Sequence, residues 1–150
     1  MTDWTDIPAF GAREPGVAYA VRPSAYALFT DATGRLAVVR TPLGVFLPGG
    51  GVDPGETPER AVVREVAEEC GLAVRAGEWR AAAVQFVWSA KYRAHFEKRS
   101  SFLDAVVDGA DAPRTEHDHE LLWLPPDEAA AAMAHESHAW AVARWLATRR

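Results

Sequence analysis

Cysteine and long apolar runs are scarce in this sequence. Its 150 residues include one cysteine, Cys70, so an internal disulfide is excluded, and with it a disulfide-stapled extracellular fold. No apolar run approaches the length of a membrane span, and the first residues lack the basic start and apolar run of a secretion signal. We therefore expect a cytoplasmic protein that has no membrane partner.

Basic charge is scarce as well. The 16 lysines and arginines are outnumbered by 21 aspartates and glutamates, which gives a formal net charge of −5. A protein with this balance lacks the positive surface that binds duplex nucleic acid, so we expect no nucleic-acid partner. Most of the excess negative charge lies in residues 50–72, which hold six acidic and two basic residues. This concentration predicts a local site for cations.

The overall amino-acid composition is that of a globular protein, with 49% hydrophobic and 25% charged residues. The length fits one domain over residues 1–150, without internal repeats or a dividing linker. Residues 1–16 predict an irregular lead-in, and Asp31 and Gly34 predict a hairpin turn. Apolar runs predict strands at 25–29, 36–39, 45–47, 81–88, 101–107 and 121–124, and helices at 57–70 and about 127–149.

The helix predicted at residues 57–70 has a clear start and a clear end. Thr57 is a suitable N-cap and Pro58 suits the first helical position. Gly71 follows the last turn and predicts the C-terminal stop. This segment is therefore the best-defined element that the sequence predicts.

Three carboxylates share one face of that helix. Glu65, Glu68 and Glu69 are spaced i, i+3 and i+4, and the apolar side chains expected on the opposite, core-facing side are those of Val63, Val66, Ala67 and Cys70. Like charges at this spacing destabilise a helix, and a divalent cation would compensate for them. Oxygen ligands favour Mg²⁺ or Mn²⁺ over zinc. The alternative is a solvated acidic face offset by Arg60 and Arg64.

The segment around this helix matches a known sequence pattern at every fixed position. The matching residues are Gly50, Glu56, Arg64, Glu65, Val66, Glu68, Glu69, Gly71 and Leu72. With this box at residues 50–72, the chain resembles the Nudix hydrolases, the MutT-like enzymes that act on nucleoside diphosphate-linked moieties. The resemblance implies an α/β/α sandwich with a mixed β-sheet, a divalent metal, and cleavage of a diphosphate linkage in a small nucleotide-type substrate.

The resemblance also implies roles for residues of the box. Glu65, Glu68 and Glu69 would be metal-facing carboxylates, and Gly50 would offer its backbone carbonyl near the metal. Glu56 and Arg64 would brace the box. Glu68 or Glu65 is the candidate catalytic base inside it.

Some members of this family take a further metal-binding or catalytic acid from a later loop. The candidates here are Glu116 and Glu120, which precede the apolar run at residues 121–124, and we favour Glu120. A solvated loop is the alternative. His117 and His119 could also form a small transition-metal site with Asp118, although two histidines without a cysteine are a weak signal.

Substrate recognition is expected from aromatic and basic residues at the end of the strand predicted at 81–88 and in the charged stretch that follows it, namely Trp88, Tyr92, Arg93, Phe96 and Arg99. Cations there could meet phosphates and rings could stack on a base, whereas the alternative is an exposed hairpin. For Trp140 and Trp145, we expect core packing or a homodimer surface.

The substrate class stays broad at this level. A nucleoside triphosphate or a small nucleoside diphosphate derivative fits the resemblance. The absence of proline between Pro58 and Pro113 counts modestly against ADP-ribose. A non-catalytic nucleotide-sensing module is the alternative function, and the presence of all four box glutamates favours catalysis.

Overall fold

Two β-sheets form the framework of the computed structural model, which describes residues 4–149. Residues 1–3 of the expected lead-in and Arg150 at the end of the expected domain lie outside the described residues. The larger sheet has the order β1-β6-β7-β2-β5, and the smaller has the order β4-β3-β8. In chain order the strands are β1 (Ala9–Phe10), β2 (Ala20–Leu28), β3 (Leu36–Thr41), β4 (Gly44–Phe46), β5 (Gly49–Gly51), β6 (Val74–Ser89), β7 (Ala94–Val107) and β8 (Glu120–Leu124).

Three α-helices accompany the sheets. They are α1 (Pro58–Cys70), α2 (Pro126–Ala132) and α3 (Glu136–Thr148), and a short 3₁₀ helix spans Trp4–Asp6. None of the helices within residues 4–149 is long and apolar enough to cross a membrane.

The larger sheet is mixed, with helices on both faces. β2 runs parallel to β7 and antiparallel to β5, and β6 runs antiparallel to β7. Because side chains alternate along a strand, Tyr26 and Leu28 pack into a cluster with α3, whereas Ala25 and Ala27 pack into a cluster with α1. The expected α/β/α sandwich with a mixed sheet is confirmed.

The hairpin expected around Asp31 is correct as a turn but wrong as a strand pair. The Asp31 carboxylate accepts hydrogen bonds from the backbone N–H groups of Thr33 and Arg35, at 2.9 and 3.0 Å, which fixes the reversal. Beyond one bridge between Thr30 and Leu36, however, β2 and β3 separate into different sheets. Both strands carry apolar residues that need burial on both faces, and two packed sheets provide it.

The single helix expected at about 127–149 is also wrong, because the chain forms two helices. Met133 has an extended backbone (φ −60°, ψ 131°) and bridges Val45 of β4. The N–H of Ala134 donates to the Val45 carbonyl at 2.9 Å. This long-range pairing replaces helical hydrogen bonds, and alanine-rich helix propensity at residues 129–132 cannot extend the helix through it.

Smaller differences from the expectations concern the N-terminal lead-in and the burial of individual side chains. Part of the lead-in forms β1, and Phe10 packs on Trp140 with ring centroids 5.8 Å apart. Trp145 is buried in the α3 core, which agrees with packing. On α1, Val63 is 40% exposed although the core-facing side was expected. Cys70 is half-buried against the α1 core, and burial raises the pKa of its thiol to about 12.

Candidate active site

The ends of α1 lie where the sequence predicts them. The Thr57 side chain accepts a hydrogen bond from the Arg60 backbone N–H at 3.2 Å. Gly71 adopts the left-handed conformation (φ 69°, ψ 24°), and its N–H donates to the Ala67 carbonyl at 3.0 Å. Only glycine adopts this conformation without a steric penalty, so the chain leaves the helix sharply after its acidic turn.

Arg64 ties the loop before α1 to the helix. Its Nε and Nη2 donate to the two oxygens of Glu56, each at 2.8 Å, and Nη2 also donates to the Gly51 carbonyl at 2.9 Å. The Asp53 N–H donates to Glu56 at 3.0 Å. The bonded guanidinium holds the pKa of Glu56 down at about 2. This paired geometry is what the bracing role expected of Glu56 and Arg64 requires.

The same guanidinium reaches the helix carboxylates. Arg64 Nη1 lies 3.0 Å from Glu65 Oε1 and 3.3 Å from Glu68 Oε2. The Glu65 side chain is 16% exposed and that of Glu68 is 33% exposed. Burial and the charges of Glu68 and Glu116 raise the pKa of Glu65, against the opposing effect of Arg64. Glu68 is thus the more accessible of these two carboxylates.

Gly50 lies directly against Glu65. A Cβ atom built on Gly50 would stand 2.7 Å from Glu65 Oε1, closer than real side chains approach. Only glycine lets the backbone of β5 come this near to the carboxylate. The structure therefore brings together Gly50 and Glu65, as the site expected from the sequence requires.

Glu69 is more deeply buried than a residue on a solvent-exposed acidic helix face would be. Its side chain is 6% exposed, Oε1 accepts the Gly49 N–H at 2.7 Å, and Oε2 lies 3.2 Å from His119 Nε2. Burial, together with the charges of Glu65 and Glu116, raises the pKa of Glu69 well above its usual range. Glu69 is therefore enclosed between β5 and the loop that precedes β8.

That loop is attached to the last turn of α1. The carbonyl of Glu68 accepts the N–H groups of Thr115 and Glu116, both at 2.9 Å. A helix leaves its last carbonyls without helical partners, and the loop supplies them here. As a result, Glu116 is held close enough for its charge to raise the pKa of both Glu65 and Glu69.

Glu120, the loop residue favoured from the sequence, lies elsewhere. It is exposed at the first position of β8 and pairs with Arg40, its register partner on β3. The structure thus brings Glu116, and not Glu120, toward the box carboxylates. Within residues 4–149, the group of metal-binding side chains that lie within 4.8 Å of one another is Glu116, Asp118 and His119, so Glu116 replaces the His117 of the set considered from the sequence.

The residues present fit a hard divalent cation. The carboxylates of Glu65, Glu68 and Glu69 and the carbonyl of Gly50 are oxygen donors, which Mg²⁺ and Mn²⁺ prefer. Mutual repulsion and burial raise the pKa of Glu65 and Glu69, which is the electrostatic signature of a site that favours added positive charge. Arg64 alone balances only part of this charge.

The residues expected to bind substrate divide between the two faces of the larger sheet. Tyr92 and Phe96 lie on one side, where the Arg22 guanidinium stands 4.8 and 5.3 Å from their ring centroids. Trp88 packs against His95, with ring centroids 4.9 Å apart. Phe96 and His95 are neighbours in a strand, so their side chains point to opposite faces.

Arg99 and Arg93 do not join the Tyr92 group. Arg99 donates to Glu97 at 2.8 Å on the face that also carries His95. Arg93 lies exposed in the turn between β6 and β7, with a positive φ of 51°. The expected charged loop at residues 93–99 is mainly strand β7, because β6 and β7 continue their pairing to Ser89 and Ala94.

Arg22 lies beside the box, a position that the sequence did not indicate. A Cβ atom on Gly51 would lie 2.9 Å from Arg22 Nη2, so the guanidinium touches the start of the box. The pairing of β2 with β5, more than twenty residues apart in sequence, produces this contact. No local pattern around Arg22 predicts it.

Comparisons with known proteins identify the family and the fold. The family model described as NUDIX domain matches residues 20–146. The fold is similar to the MutT protein from Methanosarcina mazei Go1 (TM-score 0.71, 19% identity, covering 90% of this chain and 99% of that one). It is also similar to a MutT NUDIX hydrolase from Burkholderia pseudomallei (TM-score 0.59, 27% identity, covering 83% of this chain and 97% of that one). A third similar structure is a C. elegans Ap4A hydrolase binary complex (TM-score 0.65, 18% identity, covering 84% of this chain and 96% of that one).

A search of curated protein sequences finds no match to this chain. The family model nevertheless spans most of the sequence, including the whole of the box and the loop before β8. The chain therefore belongs to the Nudix family of hydrolases.

Proposed function

We propose that this protein hydrolyses a diphosphate linkage in a nucleoside di- or triphosphate derivative, using Mg²⁺ or Mn²⁺ held by the box. The observation that carries the proposal is the convergence of Glu65, Glu68 and Glu69 beside Gly50, with Arg64 bonded to two of the carboxylates. The neighbours named as MutT and Ap4A hydrolases support a substrate of the small nucleotide class. We place the reaction in the cytoplasm, and a homodimer remains a prediction.

Glu65, Glu68 and Glu69, with the Gly50 carbonyl, would hold the cation. When bound, a divalent cation polarises a phosphoryl oxygen, neutralises charge on the leaving phosphate and lowers the pKa of a nearby water. Glu120, paired with Arg40, would join only if that exposed ion pair opened, so we assign the loop contribution to Glu116 instead.

The protein's own carboxylates then handle the proton. A water oxygen attacks phosphorus, the phosphorus–oxygen bond of the anhydride breaks, and the proton passes to a carboxylate. Glu68 is the most exposed of Glu65, Glu68 and Glu69 and is our candidate for this acceptor, with Glu65 second. Arg64 keeps both in position through its bonds to Glu65 and Glu68.

Arg22 and the ring of Tyr92 are the proposed contacts to substrate, and the Phe96 ring, which is only 9% exposed, packs beside Arg22. The guanidinium lies at the start of the box, where it can neutralise a phosphate, and Tyr92 is 50% exposed. Trp88, Arg93 and Arg99 lie apart from this group, so we do not assign them a substrate contact.

The test is a screen of nucleoside triphosphates, nucleotide sugars, dinucleoside polyphosphates and ADP-ribose with Mg²⁺ and with Mn²⁺, followed by Glu68→Gln on the best substrate. We expect kcat to fall by about 10²-fold or more, because a metal-facing carboxylate stabilises the transition state. Glu59→Gln is the matched control on the same helix and should keep its activity, since Glu59 contacts Trp79 instead.

Normal turnover by Glu68→Gln would show that Glu68 lacks the assigned role. Tight nucleotide binding without hydrolysis of any substrate would replace this proposal with the nucleotide-sensing module.

A further inference from the structure

Among Glu65, Glu68 and Glu69, Glu69 is the carboxylate that protein groups contact at both oxygens. Oε1 accepts the backbone N–H of Gly49 at 2.7 Å, and Oε2 lies 3.2 Å from Nε2 of His119. A carboxylate oxygen has about two acceptor positions, so Oε1 keeps one position after its hydrogen bond to Gly49. The contacts therefore fix the orientation of the carboxylate and still leave it able to bind a cation.

His119 is itself held from three directions. Its Nδ1 lies 2.8 Å from Asp118 Oδ1, and its carbonyl accepts Arg114 Nη2 at 2.6 Å. The loop that carries it is bonded to the Glu68 carbonyl at the end of α1. Because α1 and the loop are joined at this point, the imidazole stands at a defined distance from Glu69.

We propose that His119 is a positioning residue that orients the Glu69 carboxylate for divalent-cation binding. This inference rests on the metal role assigned to Glu69 under the proposed function. Contacts from outer polar groups to metal-binding side chains orient them, and losing such a contact typically weakens metal affinity about 10- to 100-fold. Glu69 is nearly buried, so solvent cannot replace the lost contact easily. His119 would therefore influence affinity without touching the cation.

Mn²⁺ binding to the full chain, measured by the loss of the free-ion signal in electron paramagnetic resonance, tests this proposal without any substrate. We expect His119→Asn to weaken Mn²⁺ affinity by about 10-fold or more, because the shorter amide cannot reach Glu69 from the position of Nε2. His119→Gln places an amide donor near that position and should stay within roughly threefold of the wild type. His117→Ala, in the same loop, is the control and should bind normally.

A second readout separates positioning from chemistry. At saturating Mn²⁺ we expect His119→Asn to recover kcat to within roughly tenfold of the wild type, whereas Glu68→Gln should remain impaired. Equal Mn²⁺ affinity in His119→Asn and the wild type would overturn the proposal, and so would equal losses in His119→Asn and His119→Gln. If the wild type binds Mn²⁺ but hydrolyses nothing, the proposed function fails while the role of His119 still stands or falls on the binding data.

Discussion

At the scale of single residues, Arg64 shows how the site tolerates its acidic charge. One guanidinium bonds to Glu56, Glu65 and Glu68 and to the Gly51 carbonyl. A planar group with five N–H donors can satisfy several oxygens at fixed angles, which a lysine ammonium cannot do. Burial first, and the neighbouring negative charges second, raise the pKa of Glu65 and Glu69, and a cation would neutralise that charge.

Gly50→Ala is the most informative single change in the backbone of the site. Gly50 needs no positive φ, so the effect comes from the new Cβ, which would stand 2.7 Å from Glu65 Oε1. Glu65 must move, and a displacement of about 1 Å at a reacting centre can lower the rate by about 10²-fold. We expect a fall in kcat of that order in steady-state assays with Mg²⁺, with the thermal unfolding midpoint nearly unchanged.

Gly77→Ala is the control for this substitution. Gly77 also lacks a positive φ, and its new Cβ would meet Asp104 at 3.2 Å, outside the candidate site. Its kcat should equal that of the wild type. Full activity of Gly50→Ala would mean that the close approach of β5 to Glu65 does not matter for catalysis.

At the scale of elements, α1 and the loop before β8 work as one unit. The helix supplies the carboxylates, and its last carbonyls bind the loop that carries Glu116 and His119. The stability of the helix therefore affects the geometry of both the carboxylates and the loop.

Thr57→Ala tests how much the start of α1 depends on its cap. The substitution removes the acceptor for the Arg60 N–H, and losing such an N-cap typically costs about 1 kcal/mol. Thr57→Ser keeps the hydroxyl, so its free energy of unfolding should stay within about 0.5 kcal/mol of the wild type. Urea unfolding measures both values. Equal stability of Thr57→Ala and Thr57→Ser would show that the cap contributes little here.

The sequence predicts the parts of the site that depend on local spacing. The positions of Thr57, Gly71 and the helix glutamates follow from a pattern within 23 consecutive residues, and the structure agrees with the helix ends. Arg22 could not be predicted in this way, because strand pairing across the sheet brings it to Gly51. The preference for Glu120 over Glu116 relied on closeness to the next strand, whereas hydrogen bonds to the Glu68 carbonyl decide which side chain approaches the site.

Burial on α1 shows the same limit. A helical projection places Glu69 with Glu65 and Glu68, but β5 and the late loop cover that edge and bury Glu69. Val63, which the projection assigns to the core, lies at the edge of the helix–sheet contact and stays 40% exposed. Helical periodicity gives the order of side chains around the helix, while the neighbouring elements determine where the buried sector begins.

At the scale of the whole molecule, one fully buried histidine, His138, and one half-buried histidine, His135, lie on the α3 side of the sheet. His138 is fully buried, and its Nδ1 accepts the Leu47 N–H at 3.1 Å. Its ring lies 4.2 Å from that of Tyr26 and 5.3 Å from that of His135. Burial lowers the pKa of His135 to about 4 and that of His138 well below its usual range, and the charge of Lys98 adds to both shifts.

These shifts predict that the two histidines make the fold less stable as the pH is lowered from neutral. In the unfolded chain both imidazoles take up a proton near pH 6.5, the ordinary pKa of histidine, whereas in the folded chain the pKa of His135 is about 4 and that of His138 is well below its usual range. Below about pH 6.5 the unfolded state then binds more protons at these two histidines than the folded state does. Their contribution to the free energy of unfolding therefore decreases as the pH is lowered, by up to about 1.4 kcal/mol per pH unit for each histidine.

His138→Asn provides the test of this acid sensitivity, because it removes one titrating ring while its amide oxygen can still accept the Leu47 N–H. Urea unfolding at about pH 7 and about pH 5 should show a smaller loss of stability in the variant than in the wild type, by up to about 1.4 kcal/mol per pH unit. His117→Ala, at an exposed position, should lose as much stability as the wild type. An unchanged pH dependence in His138→Asn would mean that protonation of His138 in the unfolded state does not govern acid stability, since the substitution removes that ring and leaves the other histidines in place.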